Sequence, residues 1–214
     1  MVLAPIFIPV CLLLLLTTEH QIFYRQERIG KHGIKFGILK FATMLKDSPS
    51  IGNGMLTVRN DPRITSVGKW LRLTKINELP QLWNVFVGQM SFVGPRPLTE
   101  TGISRYEPAV QQAIIGLRPG ITGIGSLVFR DEEKLVSLWK ENGGDPKEYY
   151  RTHIFPYKGI VEAWYAKNQS FRIDFLLFFG TLYSVVFNDR KIAFRLFKDL
   201  PILPKVLTID NYTS

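Results

Sequence analysis

Residues 75–97 read KINELPQLWNVFVGQMSFVGPRP, and the rest of the chain is organised around this run. Asn77 and Glu78 stand just ahead of Leu79-Pro80. Proline suits the first position of a helix, where its missing N–H costs nothing. The spacing therefore predicts a helix beginning at Pro80, with Glu78 at its N-terminus, where outward-pointing N–H groups favour negative charge. Leu79, Leu82, Trp83 and Phe86 recur at helical spacing, and Gly88 is a stop signal. Ser91-Phe92-Val93 reads as a short strand that runs into Gly94-Pro95-Arg96-Pro97, a rigid turn holding one Arg between two prolines. A stiff backbone around a guanidinium suits a phosphate that must be met in fixed geometry. A capped surface helix, a loop and a solvated Arg fit the same spacing.

Upstream, residues 1–16 (MVLAPIFIPVCLLLLL) carry no charged side chain. They are short for a membrane-spanning helix, which needs roughly 20 apolar residues. A basic start and a small-residue cleavage site are both missing, which argues against a signal peptide. Pro5 and Pro9 would kink or break a helix, so a kinked apolar hairpin entering and leaving one leaflet is expected, with a plain membrane anchor as the alternative. Arg25, Arg28, Lys31, Lys35, Lys40 and Lys46 follow, a basic flank that belongs on the cytoplasmic side. Residues 22–44 read as two strands around a Gly-rich turn at 30–33. Residues 46–56, with Pro49, Gly52, Asn53 and Gly54, read as a loop. Asp61-Pro62-Arg63-Ile64-Thr65 leads into a short helix near 67–72, where Lys69 and Arg72 share a face.

The 214 residues suit one domain plus a membrane element, and 46% hydrophobic content supplies a core. The net charge of +9 calls for an anionic partner. No nucleic-acid signature is present, so phospholipid or phosphorylated ligands are favoured and nucleic acid is excluded. One cysteine, Cys11, allows no internal disulfide, and with only three His a zinc site is not expected.

Residues 101–116 read as one helical, mostly polar segment, followed by Leu117-Arg118-Pro119-Gly120-Ile121-Thr122-Gly123. An Arg fixed by Pro-Gly, with free backbone N–H groups around Thr122, again suits an anion. Residues 145–167 have a helical pattern with aromatics, and His153 there reads as structural. Residues 171–187 are apolar and aromatic, short for a span, and read as an interfacial helix lying on the membrane; a buried core helix is the alternative. Residues 191–205 set Arg195, Lys198 and Lys205 among Phe and Leu.

These motifs together resemble the bacterial sugar transferases, the monotopic phosphoglycosyl transferases acting on polyprenol phosphate. The chain keeps ELPQLWNV, Gly88, Met90-Ser91 and Val93-Gly94-Pro95-Arg96-Pro97 of the family signature, and all of RPGITG at 118–123. It also matches at Phe23, Gln26, Arg28, Gly30, Gly33, Phe36, Lys40, Phe41, Thr43 and Met44, at DPRIT around Arg63, and in the closing segment at Asn168, Ser170 and Asp174. The likeness extends over about residues 5–187. It implies an α/β (α+β, helix-rich) fold: a small cytosolic domain with an N-terminal re-entrant membrane helix and amphipathic interfacial helices. The implied division is 1–20 membrane-embedded and short at its start, 21–190 catalytic domain, 191–214 basic-apolar tail. The implied place is the cytoplasmic face of the bacterial inner membrane, against membrane lipids.

The resemblance further implies transfer of a sugar phosphate from a nucleotide-diphosphate sugar (a UDP-sugar) to polyprenyl (undecaprenyl) phosphate, with Mg2+ held by Glu78. This would be the initiating step of exopolysaccharide, O-antigen or other glycoconjugate synthesis. Arg96, Arg118, Lys40, Arg28, Arg63, Thr122, Pro95 and Pro97 would form the substrate site. One departure bears on mechanism: the family's Asp-Glu pair is Asn77-Glu78 here, and a carboxamide is a poor nucleophile. Glu78 becomes the nucleophile, or transfer is direct, or the protein binds without turnover. Two further alternatives are a glycosyltransferase on the same fold releasing UDP and a catalytically impaired membrane-bound assembly subunit. Ala42 stands where the family has Arg, and residues 124–133 depart from the family's WAQ and NGR motifs.

Overall fold

A computed structural model describes residues 4–17, 19–50, 57, 61–189 and 191–208. The chain begins with α1 (Ala4–Thr17), a single continuous helix. The hairpin expected around Pro5 and Pro9 requires a reversal that does not occur within these residues: Pro5 sits in the first turn, where its missing N–H has no partner to lose, and Pro9 is accommodated inside the helix. Val10 and Leu14 bury against Phe41 and Leu71, with Phe7, Cys11, Ile22, Val67 and Ile76 around them. The opposite face leaves Ile8, Leu12 and Leu16 exposed. No described helix is long and apolar enough to cross a membrane.

β1 (Phe23–Ile29) and β2 (Lys35–Phe41) form an antiparallel hairpin in register Phe23 with Phe41 and Ile29 with Lys35. The turn between them uses positive φ at His32 and Gly33, which glycine tolerates without strain. α2 (Ser66–Leu73) is capped by Thr65, whose hydroxyl accepts from the Gly68 amide at 3.0 Å. Most of the 46–56 loop, including Gly52, Asn53 and Gly54, lies outside the described residues.

The helix expected at Pro80 is present as α3 (Gln81–Phe86), but Glu78 lies ahead of it in a separate 3-10 turn, Ile76–Glu78. Its apolar stripe also points the other way from a core helix. Trp83 is 60% and Phe86 81% exposed, whereas Gln81 and Asn84 are each 2% exposed. The reason is the free edge of β2. Asn84 Oδ1 accepts from Leu39 N at 3.0 Å, and Nδ2 donates to Gly37 O at 2.9 Å and to Gln89 Oε1 at 2.8 Å. The amide thus satisfies strand groups that would otherwise be left unpaired.

β3 (Ser91–Val93) pairs in parallel with β4 (Gly120–Thr122). Gly94, just beyond β3, is required by close approach: a Cβ there would lie 2.3 Å from Arg118 O. Between the strands, the single helix expected over 101–116 is two, α4 (Glu100–Ile103) and α5 (Pro108–Ile115). Pro108 starts the second, and the Tyr106 ring stacks on Phe155 at 4.3 Å between them. The main core gathers α6 (Ile124–Val128), α7 (Glu132–Glu141), α8 (Pro146–Tyr149), α9 (Phe155–Asn168) and α10 (Phe171–Phe187). A π-helical turn, Tyr150–Ile154, joins α8 to α9. α11 (Ile192–Leu196) and the residues after it pack into the same core through Ala193, Phe197, Leu200 and Leu207, and Tyr149 Oη donates to Val206 O. α10 buries Leu177, Gly180 and Ser184 and leaves Phe171, Phe175, Phe179 and Val186 exposed.

Asn84→Ala removes three hydrogen bonds and strands the Leu39 amide and Gly37 carbonyl at the sheet edge. Unfolding in denaturant is expected to show a loss of about 2–4 kcal/mol, with α3 detaching first in hydrogen exchange.

Candidate functional site

A cleft of about 2610 Å³ runs between the hairpin with α2 on one side and α6, α7, α9 and α10 on the other. Small-molecule pockets run to roughly 300–1,000 Å³, so this cleft is larger than a pocket for one such ligand. Arg28, Lys40, Lys69, Arg72, Lys75, Asn77, Glu78, Arg96, Thr122, Arg130 and Lys158 all contribute to its walls.

The cleft is built on the turn at 94–98, which is held by three elements: β4, β1 and α9. Gly94 N donates to Thr122 O at 3.0 Å, and Gly120 N to Pro95 O at 2.9 Å. Arg28 Nη1 donates to Pro97 O at 3.2 Å, and Ile29 N to Leu98 O at 2.8 Å. Arg96 N donates to Glu162 Oε1 at 3.3 Å. Pro95 and Pro97 are buried and fix the backbone, while the Arg96 side chain stands out into the cleft.

Opposite stands Glu78. Lys40 Nζ, arriving from β2, donates to Glu78 Oε1 at 3.1 Å, with both side chains about one-fifth exposed. Burial by itself would raise the Glu78 carboxyl, but the charges of Lys40, Arg96 and Lys75 outweigh it and hold it at about 2. Glu78 is therefore a carboxylate throughout the neutral range. Burial lowers the Lys40 ammonium in spite of Glu78, with Arg96 and Arg28 adding to the fall. Burial tends to lower Arg96 too, and there Glu78 prevails and raises it. Arg28 falls to about 10 through burial and the neighbouring Arg96 charge.

The expected site residues separate into two groups. Glu78, Asn77, Lys40, Arg28, Arg96 and Thr122 converge on the cleft. Arg28 spends one guanidinium nitrogen on the turn and another on Gln26, and the Thr122 hydroxyl bonds Thr181 at 2.7 Å. Arg118 is exposed and is not among the described residues that line the cleft; its backbone instead abuts Gly94. Arg63 is 3% exposed, its guanidinium is held by Asp61 at 2.9 and 2.7 Å and by Ser48 O at 2.8 Å, and it does not itself line the cleft. His153 lies against Trp139 and Tyr149.

Asn77 is buried, and its Oδ1 has no hydrogen-bond partner among the described residues. Among those residues no group of three or more His, Cys, Asp or Glu forms a metal cage. A magnesium ion here would be held through Glu78, a hard carboxylate oxygen donor of the kind this ion prefers, and would supply positive charge to the site. Lys40 would have to yield part of its hold on that carboxylate.

Residues that sequence reasoning passed over line the far wall. Lys158 pairs with Glu132 and lies over the Phe129 and Tyr150 rings. Glu162, four residues on along α9, reaches the Arg96 amide. The available signal was a Lys–Glu pair at helical spacing within an aromatic segment.

The sequence compares directly with known proteins. A family profile described as "Bacterial sugar transferase" matches residues 1–188. The UDP-galactose-lipid carrier transferase of Erwinia amylovora is 34% identical over 78% of this chain and 33% of its own length. The undecaprenyl-phosphate galactose phosphotransferase of Salmonella typhimurium is 32% identical over 78% of this chain and 33% of its own length. The exopolysaccharide production protein ExoY of Sinorhizobium fredii is 32% identical over 86% of this chain and 78% of its own length. The chain thus spans about a third of the first two relatives and most of the third. The profile match over residues 1–188, with identities above 30% across most of the chain, places the chain in the bacterial sugar transferase family.

Proposed function

We propose that this protein transfers a sugar phosphate from a UDP-sugar to undecaprenyl phosphate at the cytoplasmic face of a bacterial membrane. The observation that carries this reading is the opposition of Arg96, on a turn held by three elements, to the ionised Glu78–Lys40 pair across one cleft. Phosphoryl transfer asks a protein mainly for positioning and charge neutralisation, and these residues supply both. The relatives' names supply the donor and acceptor classes. When bound at Glu78, magnesium would neutralise phosphate charge.

Direct transfer fits this chain's own residues best. Asn77 offers a neutral amide in a buried position, and Glu78 is committed to Lys40 as an anion. In direct transfer, an oxygen of the acceptor phosphate forms a bond to the phosphorus that carries the sugar. The bond from that phosphorus to the bridging oxygen breaks, and UMP leaves with the electron pair. Arg96 and Lys40 would bind the donor phosphates and balance the charge that accumulates on their oxygens.

The membrane supports the acceptor end of this reading. The outward face of α1, Trp83 and Phe86 on α3, and Phe171, Phe175 and Phe179 on α10 form exposed apolar surfaces on a chain of net charge +9. Apolar side chains with a basic background suit partial insertion into an anionic leaflet. In the same reading α1 enters this leaflet from the cytoplasmic side through its exposed apolar face.

Two expected outcomes follow. Glu78→Gln, which keeps shape and removes the charge, lowers the sugar-phosphate transfer rate by about 100-fold or more with folding intact; an unchanged rate by radiolabel transfer to lipid would refute the assignment. Trp83→Ser with Phe86→Ser weakens sedimentation with anionic vesicles by at least about tenfold, since each large apolar side chain is worth roughly 1.5–3 kcal/mol when fully buried. Unaltered sedimentation would show that α3 does not touch lipid.

A further inference from the structure

Glu162 is a buried carboxyl that the transfer reaction does not use. It is 3% exposed and sits on the inner side of α9, on the wall of the cleft. Its Oε1 accepts the Arg96 amide hydrogen at 3.3 Å. Its Oε2 is buried and has no hydrogen-bond partner among the described residues. The carboxyl is seated on bare backbone: a Cβ at Gly125 would lie 2.5 Å from Oε1. Buried carboxylates are normally satisfied at both oxygens or neutralised by a dedicated cation.

The groups facing Glu162 do not supply that cation. On α9, Lys158 is four residues earlier, but its ammonium is paired with Glu132 of α7 and lies over the Tyr150 and Phe129 rings. From the turn at 94–98, Arg96 offers its amide to Glu162 and its guanidinium to the cleft and Glu78. Tyr106, before α5, and Tyr165, on α9, feel the Glu162 charge and are both raised, chiefly by burial. Burial pushes the Glu162 carboxyl up to about 7, against the opposing pull of the Arg96 amide, Lys158 and the Arg96 guanidinium.

We propose that Glu162 is the charge-compensating, positioning residue of the phosphate site: it takes up one proton when a phosphate-like anion docks on Arg96, and gives it back when the anion leaves. The proton comes from bulk water along the cleft and forms an O–H bond on Oε2; no other bond changes. Without an anion, the Glu162 carboxylate offsets part of the positive charge of Arg28, Lys40 and Arg96. With an anion in place that negative charge becomes unfavourable, and protonation removes it while Oε1 keeps its hold on the Arg96 amide. The sign is fixed by electrostatics. A neighbouring anion stabilises the protonated acid and moves its midpoint upward, so anion binding on Arg96 weakens as pH rises through neutrality. The inference rests on Arg96 being the phosphate-binding residue proposed above.

The experiment uses the full chain in detergent with carbon-13-labelled glutamate carboxyls and follows their resonances against pH, with and without sulfate, a dianion whose charge is fixed across the neutral range. One carboxyl is expected to titrate near pH 7, to disappear in Glu162→Gln, and to move up by roughly one pH unit in sulfate, a tenfold gain in proton affinity. Arg96→Gln, which removes one of the charges holding the Glu162 midpoint down, should raise that midpoint in the absence of sulfate and lose the sulfate effect. A purely structural carboxyl would show no sulfate effect, and that result overturns the proposal; so does the absence of any carboxyl titrating between about pH 6 and 8. A sulfate-shifted midpoint in a protein that transfers no sugar phosphate from any UDP-sugar would uphold Glu162 and refute the transferase reading.

Discussion

The structure depends on the hold exerted on residues 94–98. This short turn is reached by β1 through Arg28 and Ile29, by β4 through Gly120 and Thr122, and by α9 through Glu162. Each contact is an ordinary hydrogen bond of modest net worth, but they converge on the turn from elements far apart in sequence. Two prolines remove most of its remaining backbone freedom. The result is an arginine whose Cα is fixed and whose side chain alone is free to move, the kind of preorganisation that phosphate recognition rewards.

Charge follows from the same placement. Seen across the cleft, Lys40, Glu78, Arg96, Glu162, Lys158 and Glu132 alternate in sign. Glu78 and Glu132 each have a cation at hand that favours the ionised form, whereas Glu162 has none of its own. Glu78 and Glu162 show how finely this balance is divided. Three cations overcome burial at Glu78 and leave a carboxylate that stays ionised at neutral pH. At Glu162 burial wins, because Lys158 is already committed to Glu132. Two glutamates on facing walls therefore differ in protonation behaviour for stated structural reasons. Arg72 and Glu133 extend the pattern at the rim, joining α2 to α7 across the opening at 2.5 Å.

Much of the fold was readable from the sequence because its signals are local. The alternation and Gly-rich turn of residues 22–44 give the β1–β2 hairpin, and the apolar run at 171–187 gives α10 with the same bounds. Signals that depend on distant partners were not readable. Periodicity finds the stripe on α3 but does not say whether it faces core or surroundings. Only the free edge of β2, filled by Asn84, turns Trp83 and Phe86 outward. The Lys40–Glu78 pair joins residues 38 apart and the Arg28–Pro97 bond residues 69 apart, so spacing cannot announce them. Arg63 is the opposite case: its partner Asp61 is two residues away, and the DPR run itself held the clue that this guanidinium is structural.

The central claim is that a chain with Asn77 beside Glu78 still moves a sugar phosphate, and the released nucleotide tests it most directly. Purified protein in nanodiscs with undecaprenyl phosphate and magnesium would be offered a panel of UDP-sugars, and the nucleotides separated by chromatography. The account predicts UMP, released in step with lipid-linked sugar diphosphate. Release of UDP would show that the bond to the sugar breaks instead, and no nucleotide across the panel would show a site that binds without turning over; either result contradicts it.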